Sequence, residues 1–105
     1  MFRRLLIANR GEVAARVART ARRMGIEVVA VCSEADAEAA WLREATIVVP
    51  IGPARAAESY LDQDALLEVA RHTGAAAIHP GWGFLAENDR FAARVEAAGV
   101  TFVGP

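Results

Sequence analysis

Short apolar runs alternate with helical patterns along this 105-residue chain. Arg4-Leu5-Leu6-Ile7-Ala8 predicts a first strand. Glu12 to Met24 predicts a helix, stopped by Gly25, a residue that tolerates the left-handed conformation beyond a helix C-terminus. Glu27 to Cys32 is continuous and β-branched, a second strand, and the Ala-rich stretch from Ala37 to Ala45 predicts a short helix. Thr46-Ile47-Val48-Val49 predicts a third strand closed by Pro50, followed by a loop from Gly52 to Leu61. Asp62 or Asp64 caps a helix running to Thr73, with Gly74 ending it. Ala75 to His79 predicts a fourth strand. Asn88 caps a last helix through Ala98 that places Phe91, Ala92, Val95 and Ala98 on one face, and Thr101-Phe102-Val103 a fifth strand.

Unbroken apolar strands, rather than alternating ones, indicate a sheet buried on both faces and hence parallel. Strand–helix–strand units cross over right-handedly. The expected class is α/β: a Rossmann-like open parallel sheet of about five strands with helices on both faces. The length fits one domain. The chain stops at Val103-Gly104-Pro105, directly after a strand, and so reads as a domain cut from a longer protein.

Composition narrows the classes of function. Hydrophobic residues at 54% argue against disorder. No apolar run approaches the roughly 18 residues of a membrane span. A net charge of −1 gives no electrostatic case for nucleic acid or for an anionic membrane. The apolar stretch behind Met1-Phe2-Arg3-Arg4 stops at Asn9-Arg10, too short for a secretion signal, and the single Cys32 fits a reducing compartment; a cytoplasmic location is expected. All twelve basic residues are Arg. Without lysine, the chain can neither form a Schiff base, nor grip a nucleotide with an ammonium, nor carry a lysine-linked prosthetic group.

In an open parallel sheet, ligands sit at the carboxyl ends of the strands. The distinctive residues fall there: Asn9-Arg10-Gly11-Glu12, Ser33 to Asp36, Gly52-Pro53 with Ser59-Tyr60, His79-Pro80-Gly81-Trp82-Gly83-Phe84, and Gly104-Pro105. The turn Asn9–Glu12 reads either as facing a ligand or neighbouring domain, or as a capped turn with Glu12 paired to Arg16 four residues on. Its single glycine falls short of the dinucleotide fingerprint. Glycines flanking Trp82 predict a loop that displays an aromatic wall to a flat ligand, against the alternative of Trp82 and Phe84 folded into the core. Ser33-x-x-Asp36 reads as a turn and helix cap in preference to a ribose contact. His79, extended before Pro80, reads as a hydrogen-bonded structural histidine. Scattered His and Cys make no metal site. Arg16, Arg19 and Arg23 share one helix face, solvated by default or else a contact surface.

As an ordered set, IANRGEVAARV, SEAD, IGP with SYLD, AIHPGWGFLAEN and TFVGP resemble the N-terminal domain of biotin carboxylases over the whole chain. The resemblance implies the pre-ATP-grasp version of the sheet. It implies a ligase that uses ATP, Mg (or Mn) and bicarbonate to carboxylate biotin on a carrier domain, with the ATP-grasp and C-terminal domains lying outside this chain. This fragment alone is then expected to be inactive and to bind none of these cofactors, with no catalytic residue of its own. It implies that Trp82 and Gly83 face biotin, that Glu87 lies just behind them, and that Arg19 belongs to a homodimer contact face. Arg23 stands where an acidic residue is common, and Trp41 and Thr46 stand where many members carry His and Asp, marking a divergent branch. Which carboxylase the chain serves does not follow from the motifs. Two other readings compete: a stand-alone Rossmann-type module binding a nucleotide at Asn9–Glu12, and the equivalent domain of another ATP-grasp ligase, against which the intact HPGWGF stretch argues.

Overall fold

A computed structural model describes residues 2–104. Pro105, which the sequence places at the ligand edge, lies outside them. Strands β1 (Arg4–Ile7), β2 (Glu27–Ser33), β3 (Ile47–Gly52), β4 (Ala77–His79) and β5 (Thr101–Phe102) form one parallel sheet in the order β3-β2-β1-β4-β5. Helices α1 (Gly11–Arg23), α2 (Gln63–Thr73) and α3 (Asp89–Ala97) cover it. The expected open α/β sheet is present.

Register decides which residues meet which helix. Leu5 pairs with Val28 and Ala77, and Leu6 with Val29 and Ile78. Successive strand side chains point to opposite faces, so Leu5, Ile7, Val28 and Ala77 pack on one side with Ala14, Ala18 and Ala21 of α1. Leu6, Val29, Val31 and Ile78 pack on the other with Leu66, Val69 and Ala70 of α2 and Phe91 and Val95 of α3. The alanine stripe lets α1 lie close against the strands without long side chains. From β1 the chain winds outward to β3, then returns past β1 to β4 and winds the other way. The helices change face with that reversal.

Several details differ from the expected elements. In place of the helix expected over 37–45 there is a 3-10 turn at Ala40–Glu44, preceded by another at Glu34–Asp36. Tucking Leu42 under Ala30 and Cys32 wins over alanine's helix propensity. The third strand runs on through Pro50, which pairs opposite Cys32. An edge strand tolerates the missing N–H. The following loop contains a 3-10 turn at Ala56–Glu58. The fourth strand begins at Ala77, two residues late. Of the helix caps, Asp62 accepts from the Ala65 amide at 3.1 Å and Asn88 from the Phe91 amide at 2.8 Å. Asp64 faces Arg94 at 2.5 Å instead. Phe91 and Val95 are buried as expected, whereas Ala98 is exposed because α3 ends before it.

Phe91 has no solvent exposure and meets the Phe102 ring edge-on at 5.9 Å. Phe91→Ala is expected to cost about 3–5 kcal/mol, against a total of about 5–15 kcal/mol for a domain of ordinary stability. Phe91→Leu should retain most of that stability. Urea denaturation of the two variants measures the difference.

Candidate functional site at the carboxyl edge of the sheet

The strand order reverses between β1 and β4, and Asn9 stands just beyond β1 at that point. It is buried. Its Nδ2 donates to the carbonyls of Pro80 at 2.7 Å and Trp82 at 2.9 Å, while its Oδ1 accepts the Arg10 amide at 2.8 Å. A carboxylate here would turn an acceptor toward two carbonyls. The β1–α1 turn and the β4–α3 loop are therefore joined by one side-chain amide.

That closeness explains Gly81. A Cβ there would lie 2.6 Å from Val13 Cγ1 and 2.8 Å from Asn9 Nδ2, at a φ of +67°. Gly83 has open space around it but a φ of +76°, so its requirement is conformational alone. Phe84 follows with a φ of +42°, a left-handed conformation unusual for a bulky residue. The loop leaves Trp82 56% exposed, which decides for a displayed ring over a core one. Phe84, also exposed, leans on the Tyr60 ring at 5.5 Å. His79 Nδ1 accepts the Gly81 amide at 3.0 Å. That bond selects the neutral ring protonated at Nε2, and burial lowers the pKa further in the same direction. His79 is hydrogen-bonded within its own loop, as expected.

A second cluster ties the neighbouring turns together. Arg10 grips Asp36 with Nε and Nη2, both at 2.7 Å. The Tyr60 hydroxyl donates to Asp36 Oδ2 at 2.6 Å and accepts the Ser33 amide at 3.0 Å. The cap expected of Ser33-x-x-Asp36 is not made: Ser33 caps no turn with its side chain, and Asp36 is buried against Arg10. Arg10 is the main reason the Asp36 carboxyl falls to about 2, with burial opposing and Tyr60 assisting. Burial, then the bond to Asp36, pushes the Tyr60 phenol up to about 12. The Arg10 pKa is raised chiefly by Asp36. Burial raises the Cys32 thiol, which disfavours its reactive thiolate.

The remaining predicted residues lie apart. Glu12 pairs with Arg19 at 2.8 Å rather than with Arg16, and Arg19 also approaches Glu44 at 3.7 Å. Trp82 borders an apolar cavity of about 300 Å³ with Phe2, Val17, Met24 and His79. Exposed Glu87 lines a separate hollow beside Asn88, Asp89 and Phe102. The structure does not bring Glu87 and Trp82 into one pocket. Among the described residues no three His, Cys, Asp or Glu side chains gather as metal ligands would. Sequence reasoning missed the joint role of Arg10, Asp36 and Tyr60. The available signal was an opposite charge pair just beyond adjacent strands, with a tyrosine in the next loop.

The family model for the biotin carboxylase N-terminal domain matches residues 1–105. The chain belongs to that family. It is 53% identical over 105 residues to the propionyl-CoA carboxylase alpha chain of Ruegeria pomeroyi, covering all of this chain and 15% of that protein. It is likewise 53% identical to the biotin carboxylase of Pseudomonas aeruginosa, covering 23% of it. A biotin carboxylase from Campylobacter jejuni, solved as a β-γ-ATP complex, superposes on the whole chain with a TM-score of 0.96 at 43% identity, over 24% of its own length. The biotin carboxylase domain dimer of the Hydrogenobacter thermophilus 2-oxoglutarate carboxylase, solved with MgADP, ADP and bicarbonate, superposes with a TM-score of 0.94 at 43% identity, over all of this chain and 23% of that one. The chain thus spans under a quarter of these relatives. The family match overturns the reading as the domain of another ATP-grasp ligase.

The Asp36 carboxyl, depressed from 3.8 to about 2, is charged in the fold at a pH where the unfolded chain already binds its proton. Its stabilising contribution is complete above about pH 4 and lost as pH falls toward 2; the shift corresponds to on the order of 2 kcal/mol. Asp36→Asn is expected to destabilise the fold at pH 7 and to flatten the acid limb between pH 4 and 2. Urea titrations across that window measure both.

Proposed function

We propose that this chain is the N-terminal domain of an ATP-dependent biotin carboxylase and supplies one wall of the cleft where biotin and bicarbonate meet. The observation that carries the proposal is the Trp82 ring, held out on the switch-point loop and 56% exposed. An aromatic face suits a near-planar ring such as the ureido ring of biotin. Asn9 and Gly81 fix the backbone beneath the indole, so the surface is formed before the ligand arrives, which reduces the ordering cost of binding.

The rest of the chemistry falls to the rest of the protein. The chain has no lysine, and Arg10 at this edge is already committed to Asp36. The ATP-grasp and C-terminal domains would bring ATP, Mg and the catalytic groups, and a carrier domain would bring biotin. The exposed side of α1, with Arg19 on it, is the proposed homodimer face. The relatives' greater length and the solved complexes of ATP, ADP and bicarbonate support this division of labour.

In the full-length carboxylase, Trp82→Ala is expected to raise the KM for biotin about tenfold, equivalent to about 1.4 kcal/mol, and to leave the KM for ATP within about twofold. Equal effects on both would sink the wall role. Calorimetry of the isolated chain with ATP, ADP and NAD separates this reading from a stand-alone nucleotide module. No binding is expected, and tight binding of any of the three would favour the module.

A further inference from the structure

We infer that Tyr60 is a positioning residue for the Trp82–Phe84 corner, holding through its ring the shape that presents Trp82; the inference rests on the wall role proposed above. The corner has two anchors. Asn9 holds its first half through the carbonyls of Pro80 and Trp82. The second half contains Phe84, which at +42° is the non-glycine residue with positive φ among those described. A phenylalanine stays in that conformation only where surrounding packing holds it.

Tyr60 supplies the packing. Its ring is 2% exposed and tilted 34° to the Phe84 ring, with centroids 5.5 Å apart. Its hydroxyl is fixed twice, donating to Asp36 and accepting from the Ser33 amide. Asp36 is itself pinned by two bonds from Arg10. The tyrosine is thus fastened at its polar end and offers its ring to Phe84. Releasing Phe84 to a negative φ would re-aim Gly83 and Trp82, the residues just before it. Tyr60 need not touch a ligand to control how one is received.

The test uses the full-length carboxylase with Tyr60→Phe, Phe84→Leu, Trp82→Ala and the double variant of Tyr60→Phe with Trp82→Ala. Tyr60→Phe keeps the ring and removes its two hydroxyl bonds. It is expected to raise the KM for biotin about fivefold while the KM for ATP stays within about twofold. On the Trp82→Ala background it should add nothing further to the biotin KM, because the ring it positions is gone. A parallel loss of kcat and rise of both KM values, or a full multiplication of the two single effects, would mark general destabilisation and overturn the inference. Phe84→Leu, at a partly exposed position, should reproduce the biotin-selective effect and carries the test if Tyr60→Phe does not fold. The Trp82 emission, obtained by subtracting the spectrum of Trp82→Phe, should shift in Tyr60→Phe. An unchanged emission overturns the positioning role even if Trp82 proves not to face biotin. A biotin-selective Trp82→Ala with a silent Tyr60→Phe overturns this inference alone.

Discussion

The buried amide of Asn9 bonds to two carbonyls across the point where the strand order reverses. An open parallel sheet leaves a crevice there, because the loops leaving two adjacent strands run to opposite faces. Nothing in the sheet ladder joins those loops. Asn9 does so with a side chain that can donate twice and accept once in the same plane. Gly81 has no Cβ because the amide and Val13 occupy its place. Trp82 is displayed because the backbone on either side of it has been fixed from below. The crevice becomes a preformed surface.

A second layer of order lies beside the first. Arg10, Asp36 and Tyr60 come from the segments following β1, β2 and β3, and Ser33 is the last residue of β2. Their bonds are charge-assisted or buried, where a lost partner costs more than at the surface. The carboxyl edge is thus fastened across four connections, with Phe84 bringing the loop after β4 against Tyr60. The α1 side is built differently. A stripe of alanines sets the helix on the sheet, and its Arg19 pairs with Glu12 and Glu44 near the surface, where ion pairs contribute little to stability.

Much of the fold was legible along the chain because it depends on local pattern. Continuous apolar runs marked the strands, Asp62 and Asn88 the helix starts, and Gly25 and Gly74 the ends. The failures were places where packing overruled local preference. Alanine content predicted a helix at 37–45, but burying Leu42 produced 3-10 turns. Pro50 marked a strand end by its chemistry, yet an edge position let the strand continue.

The sequence by itself determined the class of fold, the edge of the sheet where the distinctive polar and aromatic residues gather, and, through its ordered motifs, the family. Each of these follows from periodicities and residue types that short-range sterics and burial enforce. Only the tertiary structure decided that Asp36 answers Arg10 rather than capping a turn, that Glu12 meets Arg19 rather than Arg16, and that Glu87 and Trp82 line different hollows. Arg10 and Asp36 lie 26 residues apart, a spacing that says nothing of their separation in space, and on α1 both Arg16 and Arg19 share the face that Glu12 can reach. Partner choice there is set by strand order and side-chain reach, which exist only once the sheet has formed.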